Sequence, residues 1–314
     1  MKKNYLIILI IFIYACSKNE KVSTTNNVEL VLPGLVNTEL FEMNTSFSKS
    51  GNEFYYSIAD PFQNFNAILS VKKENKGWSN PEVISFSGQY SDFDPFVSYD
   101  GNRMYFCSRR PLATGNSERN DANIWFVEKD GNNWSEPQAL NADINSEYNE
   151  YYVSVSKQGN IFFSSTRPDG LGSWDIYYSV SEKVFNAGDS INTEYREWDP
   201  FIAEDESFII FTSDRTNGFG GGDLYISFKN KNGNWNTPQN LGDKVNTSDY
   251  EYCPHISRDK EYLYFSRFGG SSFDYDSSKK RNYNDLKTRL KSTDNGLGSI
   301  YRIKLSSLDV FNNK

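Results

Sequence analysis

The chain has 314 residues, a formal net charge of −8 and 16% aromatic residues, and its cysteines are Cys16, Cys107 and Cys253. An acidic chain lacks the basic face that a nucleic-acid partner requires, so we expect no nucleic-acid binding. Three cysteines are too few for a disulfide-rich scaffold, and stability must therefore come from an ordinary hydrophobic core. The composition also has few long helix-forming runs, which favours an all-β protein.

The N-terminal residues have the pattern of an export signal. Lys2 and Lys3 are followed by an apolar stretch, residues 5–14, that is too short to span a bilayer as a helix. The sequence IYAC that ends at Cys16 resembles a bacterial lipobox, which implies that residues 1–15 are removed and that Cys16 is lipidated. A plain secretory signal that is cut nearby is the alternative.

The residues that follow predict how the protein is held at the membrane. Residues 16–27 are polar and lack a core-forming pattern, so we predict a flexible tether. No later segment is apolar enough to span a membrane, and we therefore expect the lipid to be the only membrane attachment. Without Lys2 and Lys3 the net charge becomes −8 − 2 = −10.

Five stretches share a polar turn followed by an alternating aromatic or aliphatic strand, which is the pattern of a β-hairpin. The turns begin at Ser48, Ser98, Ser156, Ala203 and Ser257. Six residues before each turn stands an acid, and the next residue is always large and apolar or aromatic. An Asn or Ser stands eleven residues before each turn. A sequence motif that recurs about every fifty residues indicates a repeat architecture.

Further strands are predicted on either side of these hairpins. Third strands begin at Asn66, Asn123, Asp175, Asp223 and Ser299, and fourth strands begin near Trp78, Trp134, Lys183 and Trp235. The fifth copy has no fourth strand of its own, but the residues before the first copy match those that follow the other fourth strands. We therefore predict an all-β, five-bladed β-propeller that an N-terminal strand closes, in one domain over residues 28–310. Six blades, with one degenerate copy, are the alternative.

The fourth copy carries a resemblance to a known family. It contains the elements I-N-T, D-P, S-x-R, G-x-G-G-x-D-L-Y and W-x-x-P-x-x-L within residues 191–241. These elements resemble the WD40-like repeats of TolB-type propellers, and the likeness covers most of residues 30–305. The resemblance implies an outer-membrane lipoprotein of the cell envelope, periplasmic or surface-exposed, that serves as a binding module. Its expected partner is an envelope protein or a cell-wall glycan.

The repeated acids predict a structural role. In the second, third and fourth copies, pairing across the hairpin brings an acid of the first strand near an arginine that follows the second strand, and in two of them an aspartate begins the third strand beside it. The predicted clamp residues are Glu42, Asp92, Glu150, Glu197 and Glu251, with Arg110, Arg167 and Arg215 opposite and Asp175 and Asp223 beside them. Each arginine of the third and fourth copies is expected to lie between two acids.

A catalytic role is the alternative for some of these acids. Asp94, Asp199 and Glu251 loosely resemble the general acid, general base and pKa-modulating carboxylates of five-bladed glycoside hydrolases. Because the acids follow the repeat, whereas catalytic residues should break it, we predict a non-catalytic protein. His255, the single histidine, does break the repeat. A lone histidine cannot build a histidine-rich metal site, so we expect a core or channel residue and neither metal nor cofactor.

Residues 271–298 form an insertion in the fifth copy. Its basic residues are Lys279, Lys280, Arg281, Lys287, Arg289 and Lys291. Residues 284–291 predict a short helix capped by Asn284. Because the insertion joins the second and third strands of its blade, we expect it on the same face as the acids, either as a solvated loop or as the contact for a partner.

Overall fold

The computed structural model describes residues 28–112, 121–131, 133–269, 280–293 and 295–312. These residues form five antiparallel sheets, which are the blades of a β-propeller. The prediction of five blades is confirmed, and the six-bladed alternative is wrong. The predicted signal peptide, the tether with Cys16, and Lys279 lie outside the described residues.

The strands follow the predicted order along the chain. Strand β1 is Val28–Leu30. Blade 1 contains β2 (Phe41–Phe47), β3 (Glu53–Ala59), β4 (Asn66–Glu74), and β5 (Gly77–Trp78) with β6 (Glu82–Val83) as its outer pieces. Blade 2 contains β7 (Asp92–Val97), β8 (Arg103–Ser108), β9 (Asn123–Asp130), and β10 (Asn133–Trp134) with β11 (Gln138–Ala139) as its outer pieces.

The remaining blades keep this order. Blade 3 contains β12 (Glu150–Val155), β13 (Ile161–Ser165), β14 (Asp175–Val180) and β15 (Lys183–Asn186). Blade 4 contains β16 (Glu197–Ile202), β17 (Phe208–Ser213), β18 (Asp223–Phe228) and β19 (Gln239–Asn240). Blade 5 contains β20 (Tyr250–Ile256), β21 (Tyr262–Phe268) and β22 (Ser299–Lys304), with β1 as its fourth strand. A 3₁₀ turn, Leu305–Ser307, and the short helix α2, Asp309–Asn312, follow β22.

Ring closure comes from the N-terminal strand, as predicted. Strand β1 pairs antiparallel with β22, with Val28 opposite Ile303 and Leu30 opposite Tyr301. Both ends of the domain are therefore joined in one sheet. The first strand of each blade contacts the first strands of its neighbours, so these five strands surround the central channel.

The core lies between the blades. Between blades 3 and 4, for example, Phe162 and Ile176 pack with Ile209, Phe211 and Tyr225, and all five are buried. Because each blade is covered on both faces by its neighbours, its middle strands are apolar on both sides. Full burial of one such side chain stabilises the fold by about 1.5–3 kcal/mol.

An asparagine that precedes the hairpin in four of the five copies links two blades. Asn192 accepts a hydrogen bond from the Ile176 amide at 2.8 Å and donates one to the Ile176 carbonyl at 2.9 Å, as a neighbouring strand residue would. The same pair of bonds joins Asn37 to Ile300, Asn145 to Ile124, and Asn246 to Leu224. This pair of hydrogen bonds to a neighbouring blade explains why asparagine recurs at this position.

The glycine-rich loop 218–222 packs directly against blade 5. A Cβ on Gly220 would lie 2.2 Å from the Asp249 carbonyl oxygen, and one on Gly221 would lie 2.3 Å from the Tyr250 ring. Both positions therefore require glycine, because any side chain would push the two blades apart. The loop holds Tyr250 at the mouth of the channel.

The described part of the insertion contains the helix α1, Tyr283–Leu290. Its N-cap is Asn282, which forms a capping box with Asp285, so the prediction of Asn284 as the cap was wrong by two residues. Helix α1 has no buried residue. Among the described residues, no helix is long and apolar enough to cross a membrane.

Candidate functional site

The innermost strands carry two successive layers of functional side chains. The clamp layer consists of the acid that begins each strand and its arginine partner. In blade 4, Arg215 donates from Nη2 to Glu197 Oε1 at 3.0 Å and to the Ile191 carbonyl at 2.9 Å. Arg110 pairs with Asp92 at 2.7 Å, and Arg167 pairs with Glu150 at 3.4 Å. The three predicted acid–arginine contacts are therefore present.

The clamp layer differs in blades 1 and 5, for which the sequence predicted no arginine partner. Among the described residues Glu42 has none, since Asp60 occupies the corresponding position; its Oε1 accepts hydrogen bonds from the amide and hydroxyl of Thr38. Glu251 pairs with Arg267 at 2.6 Å, a contact that the sequence analysis missed. The S-x-R spacing is shortened to Ser266-Arg267 in this copy, so the pairing arithmetic passed over it.

The predicted arrangement of an arginine between two acids was also wrong. Asp223 accepts hydrogen bonds from the amides of Phe219 at 2.6 Å and Gly220 at 3.0 Å, and Asp175 accepts one from Gly172 at 3.1 Å. In the described chain neither aspartate forms an ion pair with an arginine. Each carboxylate instead satisfies amides of the tight loop before its own strand, where the short path leaves backbone donors without sheet partners.

Burial outweighs the arginine partner for two acids of the clamp layer. It raises the pKa of Asp92 and Glu251, although Arg110 and Arg267 beside them act in the opposite direction. The cost of removing these carboxylates from water therefore exceeds the attraction of the arginine. Such a pair fixes geometry, and loss of one partner leaves a buried charge uncompensated.

The second layer is the channel ring, which consists of Asn44, Asp94, Tyr152, Asp199 and Cys253. Each of these residues lies in a bulge of its innermost strand with a positive φ between 48° and 63°. Non-glycine residues rarely adopt this conformation, so its presence in all five blades marks a constraint of the repeat. The bulge turns these side chains toward the centre of the ring.

The two aspartates of the channel ring are buried, and neither has a cationic partner among the described residues. Asp94 accepts a hydrogen bond from Asn44 Nδ2 at 2.7 Å, and Asp199 accepts one from the Cys253 amide at 3.0 Å. Burial raises the pKa of Asp94 to about 7. Burial, and then the charge of Asp94, raise the pKa of Asp199 well above its usual range. The two carboxyl groups therefore titrate as an interacting pair.

A cavity of about 330 Å³ opens above the channel ring, on the face from which the second strands lead to the third. Its aromatic wall consists of Phe93, Tyr151, Trp174, Trp198, Tyr250, Tyr252 and Phe268. Asp94, Asp199 and Cys253 form its floor, and Arg109 and Arg196 lie among its lining residues. A cavity of this size and lining is typical of a site for a small ligand.

The repeat contains a signal for this wall that the sequence analysis did not use. The residue after each clamp acid is large in every copy, and all five of these residues line the cavity: Met43, Phe93, Tyr151, Trp198 and Tyr252. Neighbouring residues in a strand face opposite sides, so the acid turns to its arginine while the next residue turns to the channel.

The three carboxylates of the catalytic alternative are not brought together. Asp94 and Asp199 face the cavity, but Glu251 is absent from its lining and accepts hydrogen bonds from Thr247 and Arg267. Its position at the start of β20 places it in the clamp layer. A set of three acids on the cavity floor is therefore not formed.

Buried side chains fill the channel beyond the ring. His255 lies among Phe47, Phe96 and Phe201, with ring centroids 5.0–5.8 Å away. Burial, with a contribution from Arg258, lowers the pKa of His255 well below its usual range. Arg258 donates to the Val97 carbonyl at 2.6 Å and to the Phe47 carbonyl at 3.0 Å, and thereby joins blade 5 to blades 1 and 2. His255 is thus a buried channel residue, as expected.

The described part of the insertion lies at the same face but outside the cavity lining. Lys291 is 3.7 Å from Glu39, and Asn295 donates to the Glu39 carbonyl at 3.1 Å. None of the described residues of the insertion lines the cavity. In the described part of the chain, no three His, Cys, Asp or Glu side chains are grouped as a metal ion would require. Cys107 and Cys253 are buried free thiols.

No protein-family model matches the chain, and no curated protein matches it. Solved structures do match, including an α-L-arabinofuranosidase from Lactobacillus brevis, at 12% identity and a TM-score of 0.51 over 86% of this chain and 92% of that one. A putative hydrolase from Bacteroides ovatus matches at 9% identity and a TM-score of 0.50, over 89% of both chains. A putative TolB from Agrobacterium tumefaciens matches at 17% identity and a TM-score of 0.49, over 75% and 73%. At these identities the likeness concerns the propeller fold alone.

Proposed function

We propose that this protein is a non-catalytic binding protein of the bacterial cell envelope that takes a glycan into the cavity above its channel ring. The observation that carries the proposal is the aromatic wall above a polar floor. Aromatic faces pack against the apolar faces of a sugar ring, while the floor and rim offer hydrogen-bond partners to its hydroxyl groups. The cavity volume of about 330 Å³ suits one or two sugar residues better than a protein surface.

Two observations favour binding over hydrolysis. Glycoside hydrolysis needs one carboxyl group as acid and a second that remains ionised as base or nucleophile. Here burial raises the pKa of both Asp94 and Asp199, which disfavours the ionised form that a base or nucleophile needs. The third acid of the catalytic alternative, Glu251, is bound to Arg267.

A glycoside hydrolase that uses Asp94 and Asp199 is the second candidate. One observation favours it, namely that two interacting carboxyl groups face a ligand-sized cavity. Incubation with plant and bacterial polysaccharides separates the two candidates, since the binding protein releases no sugar. Sugar release that disappears in both Asp94→Asn and Asp199→Asn, at unchanged melting temperature, would establish the hydrolase.

The binding test uses calorimetric titration with glycan fragments from bacterial envelopes. Trp174→Ala should weaken binding at least about tenfold, because it removes an aromatic face from the wall. Phe185→Ala is the matched control, since Phe185 is an exposed aromatic residue on the outer strand β15. Equal affinity of the two variants would show that the ligand binds elsewhere. A pulldown that recovers an envelope protein but no glycan would favour the protein partner.

The envelope location rests on the N-terminal sequence. A basic region, a short apolar stretch and a cysteine at position 16 are the features that support lipidation of Cys16. Expression with a labelled fatty acid should label the native protein and should leave Cys16→Ala unlabelled. The same variant should leave the membrane fraction, and membrane retention without the label would contradict lipid anchoring.

A further inference from the structure

The buried acids of this propeller fall into two groups according to their partners. In the clamp layer, Asp92, Glu197 and Glu251 each have an arginine within 3.0 Å. In the channel ring, the hydrogen bonds and ion pairs of the described residues connect neither Asp94 nor Asp199 with any lysine or arginine. An unpaired buried carboxylate is unfavourable, so a group with positive charge would be stabilised beside these two aspartates.

Nearby polar atoms lack donors as well. Within the described chain, Asn44 Oδ1, Asn66 Oδ1 and the Tyr252 hydroxyl have no hydrogen-bond partner, although these residues are only 1%, 3% and 8% exposed. Asn66 and Tyr252 line the cavity, and Asn44 holds Asp94. An asparagine oxygen only accepts hydrogen bonds, so a ligand that satisfies these two oxygens must donate to them, whereas Arg109 Nε at the same cavity is, among the described residues, an unpartnered donor and calls for an acceptor.

The aromatic wall suits a positive charge. Tyr151 lies 5.4 Å from Phe93 and 5.1 Å from Trp174 between ring centroids, so these rings border one side of the cavity together. The face of an aromatic ring attracts a cation within about 6 Å, most strongly where water is excluded. Aromatic rings around a floor of acids are therefore complementary to an organic cation.

The arginines at the cavity do not supply this charge. Arg196 pairs with Asp214 at 2.6 Å and lies 5.1 Å from the Trp198 ring. Arg109 donates from Nη1 to the Asn64 carbonyl at 3.1 Å. Each has partners away from the floor, and Asp214 offsets the charge of Arg196. The floor thus remains the one part of the described cavity where acids lack a cation.

We propose that the cavity binds an amino sugar, with its ammonium group between Asp94 and Asp199 and its ring against the aromatic wall. This inference rests on the proposed glycan-binding function and names the class of sugar. An ammonium group supplies three donors for the two carboxyl groups and the oxygen of Asn44. Because the pKa of Asp94 is raised only to about 7, its ionisation on binding costs little near neutral pH, and the proton passes to solvent.

The test compares matched ligands on the full-length protein in detergent by calorimetry. The disaccharide of glucosamine should bind at least tenfold more tightly than the disaccharide of N-acetylglucosamine, in which the amine is an uncharged amide. Lysine amide with an acetylated α-amine presents the same cation without a sugar ring. It should bind more weakly than the glucosamine disaccharide.

Variants test whether the two aspartates hold the cation. The double variant Asp94→Asn and Asp199→Asn should lose the preference for the amine while it stays folded, with a melting temperature no lower than that of the native protein. Asp205→Asn is the matched control, because Asp205 lines a separate cavity at the opposite end of the channel. It should keep the full preference.

Each alternative outcome overturns a different claim. Equal binding of the two disaccharides would overturn the amino-sugar inference and leave glycan binding in place. Binding of lysine amide alone would keep the cation but overturn the glycan. Retained preference in the double variant would show that the aspartates do not hold the ammonium group. Absence of binding for all three ligands would overturn both proposals.

Discussion

The clamp layer and the channel ring differ although they are two residues apart along the same strands. Glu197 of the clamp layer meets Arg215, and its counterparts in the other four blades are all acids. Asp199 of the channel ring has the same bulged backbone as its four counterparts, but their side chains are Asn, Asp, Tyr and Cys. Repetition of a side chain therefore marks a structural contact, and repetition of a backbone conformation alone leaves the side chain free for a ligand.

The energetic costs of the two layers also differ. The clamp layer satisfies a buried acid with a fixed partner in each of four blades, so the structure depends on every pair. In the channel ring, the positive φ angles and the two unpaired acids both raise the free energy of the folded state, and no structural contact of the described residues offsets this. Sites that store such costs are more often functional than structural.

The largest expected effect comes from opening the ring to which both layers belong. Removal of residues 28–36 deletes β1 and the buried Val31 and Val36, and exposes the edge of β22. We expect aggregation or complete loss of the cooperative melt in circular dichroism. Removal of residues 17–27 is the control and should leave the melt unchanged. If the two truncations behave alike, β1 does not close the ring in solution.

The next effect separates the layers directly. Glu197→Gln leaves Arg215 half-buried without its counter-charge, and we expect the free energy of unfolding to fall by about 3 kcal/mol. Asp199→Asn removes an unpaired acid and should cost less than about 1 kcal/mol. Urea denaturation of both variants measures the difference. Equal losses would contradict the distinction between a structural and a functional layer.

Asp94 of the channel ring should also make the free energy of unfolding depend on pH. The pKa of Asp94 rises from 3.8 to about 7 on folding, and the groups that face it are Asn44, Cys107, Tyr152 and Asp199. A raised pKa means that the folded state binds more protons, so this contribution is complete below pH 3.8 and is lost as the pH rises through 7. It amounts to at most about 4 kcal/mol.

The measurement is the difference in unfolding free energy between the native protein and Asp94→Asn at several pH values. Relative to the variant, the native protein should lose stability between about pH 4 and pH 7 and then level off. Subtraction removes the contributions of the other acids that both proteins share. A constant difference across this range would show that Asp94 is not buried as an unpaired acid.

The smallest effect on stability is expected outside both layers. Replacement of residues 271–297 by a short Gly-Ser turn should leave the melting temperature nearly unchanged, since long surface loops cost little to shorten. Gly298 should stay, because its carbonyl accepts a hydrogen bond from Glu42 at 3.0 Å. If the basic residues Lys279, Lys280, Arg281, Lys287, Arg289 and Lys291 contact a partner, the deletion changes the proteins recovered by an envelope pulldown. Identical recovery would place that contact elsewhere.

Much of the fold could be predicted from the sequence because repetition makes local patterns reliable. The five hairpins, the third strands from Asn66 to Ser299 and the closing N-terminal strand all lie where the repeat predicted them. Three of the four acid–arginine pairs followed from counting across a hairpin. The pair of Glu251 and Arg267 did not, since one missing residue in the S-x-R element shifts the count.

The cavity was decided by the tertiary structure. The repeating positions could be read from the amino-acid sequence, and they predicted the blades, their order and the clamp acids. Strand pairing and most acid–arginine pairs join residues at a regular spacing within one repeat, which is why the sequence reveals them. The sequence did not show that Asp94 and Asp199 interact electrostatically across the channel, because they come from different blades and are 105 residues apart (199 − 94). Nor did it show that Glu251 turns away from the cavity that Tyr252 enters. These relations depend on how five bulged strands converge around one axis, which no single repeat encodes.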